Sequence, residues 1–129
     1  MAEFRLEVRE LRGPQQFEIL EYFLHNSEKI ADDTRRLGEG VIMKGSRASV
    51  KKTLEIPQEF WTTVEIVSEL GIISWFVGKL LGILSKYVNA KLRIDGQDVP
   101  ISKEEIEKMI KKILDEKEKN EKNEHHNLR

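Results

Sequence analysis

The chain has 129 residues, 39% of them apolar and 35% charged, with a net charge of -1 and no cysteine. That is one domain's length with enough apolar material for one core. Without cysteine, disulfides, thiolate nucleophiles and thiolate-bound zinc are excluded, and the near-zero charge sets up no global field toward nucleic acid or a membrane surface.

The opening MAEFRLEVRELRG lacks an apolar run behind a basic start, so no signal peptide is expected and the expected location is cytoplasmic. Within it, Phe4, Leu6 and Val8 alternate with Arg5, Glu7 and Arg9, which predicts a half-buried strand over 3–11. Gly13-Pro14 breaks it, and Phe17, Leu20, Phe23 and Leu24 then recur at helical spacing over about 14–25. Asn26-Ser27 either ends that helix or caps a second short one through Ile30 and Leu37, and Gly38 and Gly40 close the region.

Residues 41–56 read as strand. Val41 and Met43 alternate with Ile42 and Lys44, Gly45-Ser46 offers a turn, and Val50, Leu54 and Ile56 share a face that Lys52 interrupts. Pro57 opens the longest expected element, an apolar helix over about 57–88. Lys91–Ile94, Asp95-Gly96 and Gln97–Ile101 form a hairpin signal, with Pro100 marking an edge or an end. Ser102 with Glu105 makes a capping box ahead of the stripe Ile106, Met109, Ile110, Ile113 and Leu114. DEKEKNEKNEHHNLR has no apolar periodicity. The expected organisation is one domain over 1–115 and a charged, disordered tail over 116–129. The expected fold is α+β: a small mixed or mainly antiparallel sheet of about four strands, with helices packed on one face, one of them long and apolar.

On a helical wheel the long helix sorts by size. Gly71, Ser74, Gly78, Gly82 and Ser85 fall on one narrow strip, with Trp75, Lys79 and Lys86 along its edge, and bulky aliphatic residues fill the opposite face. A membrane span would use the Gly78-x-x-x-Gly82 spacing. Lys79 would then sit mid-span at about 2.5–3.5 kcal/mol, and the apolar blocks are shorter than the ~18–20 residues a span needs. A central core helix is the plainest reading. An interface for a partner helix or a second copy is the third, because apolar surface of this extent rarely stays exposed.

Catalytic signals are sparse. Glu21 and His25 stand one turn apart, but two ligands do not make a metal site, and a histidine near a helix C-terminus already has a favourable dipole contact. Asp32-Asp33 with Arg35-Arg36 has the residue types of a phosphate-handling or general-base site, with a solvated helix or loop face as the plainer reading, and His125-His126 lie in the polar tail. No nucleophile elbow, phosphate loop or dinucleotide fingerprint occurs. Lys44, Arg47, Lys51 and Lys52 form one local basic patch without interleaved aromatics, which suits an acidic protein surface as well as nucleic acid.

The order of elements resembles the effector-associated constant component domain of bacterial conflict systems. The resemblance rests on the strand Phe4–Val8, the helix Phe17–Leu24, the small-plus-apolar helix Gly71–Leu84 with Trp75, the LRIDGQDV pair Leu92–Val99 and the helix Glu104–Leu114, spanning 3–115. It implies a non-enzymatic adaptor linking an effector to other components of a multi-part immune or signalling system, with no catalytic residues to carry over. The expectation is therefore a protein-interaction module without enzyme activity or cofactor. Its contact face is expected at Gly71, Ser74, Trp75, Gly78, Lys79 and Gly82, and its partner is another protein or a second copy. A nucleic-acid-binding regulator using the basic patch is the alternative.

Overall fold

A computed structural model describes residues 2–50 and 58–127. The N-terminal alternation is realised in β1 (Ala2–Leu11), which buries Phe4, Leu6, Val8 and Leu11. Helix α1 (Gln15–His25) follows and lays Ile19 and Phe23 on the sheet, where the Phe23 ring stacks on Phe60 at 5.6 Å. It ends at Asn26, whose backbone N–H and side-chain amide both donate to the Tyr22 carbonyl.

The chain then forms β2 (Glu28–Ala31), β3 (Thr34–Gly38), β4 (Val41–Ala48) and β5 (Gln58–Ile66). After helix α2 (Leu70–Leu84) come the hairpin β6 (Lys91–Ile94) and β7 (Gln97–Val99), then helix α3 (Lys103–Asn127). The seven strands make one antiparallel sheet in the order β2-β3-β4-β5-β1-β6-β7. One continuous core takes in the inward side chains of every described strand but β2 and of the three described helices, so the helices cover one face of the sheet.

The mixed class and the one-sided helices match the sequence expectation, but the described residues form seven strands in place of the expected four or so. The largest correction concerns 57–88. Its first third is β5, where Gln58, Phe60, Thr62, Val64 and Ile66 are buried in strict alternation. Two of those positions are polar, which hides the period of two from a hydropathy reading. Their burial is tolerable because each is satisfied. Gln58 accepts from the Gln16 amide and the Ser49 hydroxyl, and Thr62 donates to the Lys44 carbonyl and bonds Ser46 at 2.8 Å. The long helix is accordingly reduced to α2, 15 residues.

A second helix after Asn26 does not form. Every residue of β2 is exposed, so this edge strand carries no alternation to read. Gly45-Ser46 does not turn the chain either. With Gly45 at φ +60, the register shift between Lys44 and Arg47 is a bulge inside β4. The expected run through Leu54 and Ile56 falls on 51–57, outside the described residues. The Asp95-Gly96 hairpin is as expected, both residues having positive φ. Ser102 caps α3, its hydroxyl accepting from the Glu105 N–H. The helical backbone then continues past 115 to Asn127, although no residue from Asp115 to Asn120 is buried.

Candidate interaction site

Helix α2 starts where the β3–β4 turn meets the end of β5: the Val67 N–H donates to the Gly40 carbonyl at 2.9 Å. Its inward face buries Ile73, Phe76, Val77, Leu80, Ile83 and Leu84. The Phe76 ring meets Phe4 of β1 edge-on at 6.3 Å. Among the described residues no helix is long and apolar enough to cross a membrane. At 15 residues α2 spans ~22 Å, against a hydrocarbon core of ~30 Å.

The flanks of α2 are tied to the rest of the fold. On one side the Ser74 hydroxyl donates to Glu107 of α3 at 2.8 Å. On the other the Trp75 ring rests on Gly38 of β3, where a β-carbon would lie 2.3 Å from the ring. The neighbouring Gly40 adopts φ +76, and a β-carbon there would come within 2.8 Å of Ile72. The two glycines that close the 26–40 region are thus the seat of the first half of α2. Beyond α2, the Tyr87 hydroxyl donates to Glu18 of α1 at 2.8 Å. Burial, then that bond, pushes the phenol up to about 12.

The outward face is bare. Gly71, Gly78 and Gly82 are exposed, and among the described residues nothing lies within 4 Å of a β-carbon placed on any of them. Glycine in a helix interior costs about 1 kcal/mol relative to alanine, and among the described residues no close approach offsets that cost. Trp75 remains 39% exposed beside this face, with the Lys79 ammonium 5.6 Å from the centre of its ring. Leu70, 59% exposed, and Val88, 98% exposed, stand near the two ends. Of the six residues expected to form the contact face, Gly71, Trp75, Gly78, Lys79 and Gly82 lie together on the outward side or its edge. Ser74 is half-buried and turned to α3. Gly38 and Glu107 were missed because their roles depend on neighbours distant in sequence.

The two described residues of the basic patch, Lys44 and Arg47, are not free charges. Lys44 meets Glu65 at 2.5 Å and Glu3 at 3.5 Å. The hydrogen bond to Glu65, then its charge, holds the Lys44 ammonium above its ordinary pKa. Arg47 grips both oxygens of Asp33, at 2.6 and 3.0 Å. That bond, then the paired charge, lowers Asp33 and raises Arg47. Lys51 and Lys52 lie outside the described residues.

Arg35, from the charge cluster, serves the end of α1. Its guanidinium donates to Ser27 Oγ at 2.7 Å and to the carbonyls of Ser27 and Leu24 at 2.9 and 3.1 Å. His25 lines an open cleft with Asn26, Ser27, Glu28, Arg36 and the β3–β4 turn. Among the described residues no group of three or more histidines and carboxylates could hold a metal ion. Comparison with known proteins finds no matching family model, no matching curated protein and no matching solved structure.

Proposed function

We propose that this chain is a non-enzymatic interaction module that docks a helix of another protein, or of a second copy, on the outward face of α2. The observation that carries the reading is the set of exposed glycines, Gly71, Gly78 and Gly82, for which the described residues supply no packing reason. A helix lacking side chains along one face lets a second backbone approach closely, as at small-residue helix crossings generally. Trp75 at the edge supplies a rigid aromatic anchor of the kind that dominates interfaces. The resemblance in layout extends the reading to a cytoplasmic adaptor acting beside a larger effector in a prokaryotic defence or signalling system.

The test pairs light scattering with affinity capture for the wild-type chain and Gly78→Leu. Loss of self-assembly or of a captured partner in a variant that stays folded supports the module. Assembly and capture both unchanged would end it. The nucleic-acid alternative is weaker because Lys44 and Arg47 are already neutralised by carboxylates. It requires salt-sensitive binding that charge reversal at Lys51 and Lys52 abolishes.

A further inference from the structure

We draw no further inference here: the strongest candidate, the outward glycine face of α2 with Trp75 and Lys79 along its edge, already carries the proposed interaction, and nothing in the structure shows what covers it.

Discussion

Two faces of the molecule meet solvent, and they are built in opposite ways. On the open side of the sheet, Trp61 of β5 stands opposite Glu7 of β1 and Arg47 of β4, and Thr63 stands opposite Arg5 and Lys44. Arg5, Arg9, Lys44, Arg47 and Arg93 each find a carboxylate, and Arg5 also lies 6.0 Å over the Trp61 ring. This is a self-satisfied, solvated face. Cross-strand pairs of this kind support the sheet modestly, and they leave little unpaired for a ligand. The outward face of α2 has the reverse character. It has glycine where a solvated helix would carry alanine, glutamate or lysine, and the aromatic beside it is partly exposed. Among the described residues, one face pairs its charges within the sheet, and the other carries a local cost that no contact explains.

The sharpest way to break that contrast is to fill the α2 face. Gly78→Leu should weaken self-assembly or partner capture by at least tenfold, about 1.4 kcal/mol, read by sedimentation and quantitative capture. Lys44→Gln on the sheet face should leave both unchanged. Equal losses from the two variants would erase the distinction.

A loss of comparable size, but in the fold, is expected from Gly38→Ala. Its methyl would occupy the space of the Trp75 ring, so it should cost about 1–3 kcal/mol in denaturant melts. In a Trp61→Phe background, Trp75 emission should shift as the ring leaves its seat. Gly78→Ala should do the opposite to stability. With open space around the added methyl, the melting temperature should rise, reflecting about 1 kcal/mol.

Tyr87→Phe removes the bond to Glu18, worth about 1 kcal/mol near neutral pH. It also removes part of the alkaline instability. The fold favours the neutral phenol, so that contribution is complete below the ordinary pKa of 10.0 and is lost as the pH rises through about 12. Melts from pH 9 to 12 should therefore show a shallower decline for the phenylalanine variant. The smallest effect is expected at Arg47→Gln. The Asp33 carboxyl is held below its ordinary 3.8, so its contribution is present above that pH and lost as the pH falls below it. Both side chains of the pair are more than half exposed, and the variant should change the neutral melting temperature little.

Legibility in the sequence followed the source of each element's stability. β1, the Asp95-Gly96 hairpin and the capped start of α3 are specified by residues adjacent in the chain, and each was readable. β5 was not, because Gln58 and Thr62 are held inside by partners 42 and 18 positions away. β2 was not, because an exposed edge strand gains its order from β3 rather than from burial. At the candidate site, helical spacing alone grouped the glycines with Trp75 and Lys79. It could not tell whether another element would cover the glycines, nor that Ser74 would turn to Glu107. The basic patch looked unopposed because Glu3, Asp33 and Glu65 reach Lys44 and Arg47 only through strand pairing and the bulge at Gly45.

The central claim is that Gly78 serves contact outside the chain and not the fold. Thermal melting and sedimentation of Gly78→Leu, measured on the same samples beside the wild type and with capture from native extract, test it directly. The account predicts a melting temperature at or above that of the wild type, with assembly or partner capture lost. A destabilised fold would show that the glycine serves the chain itself, and full retention of assembly and capture would show that the α2 face is not the site.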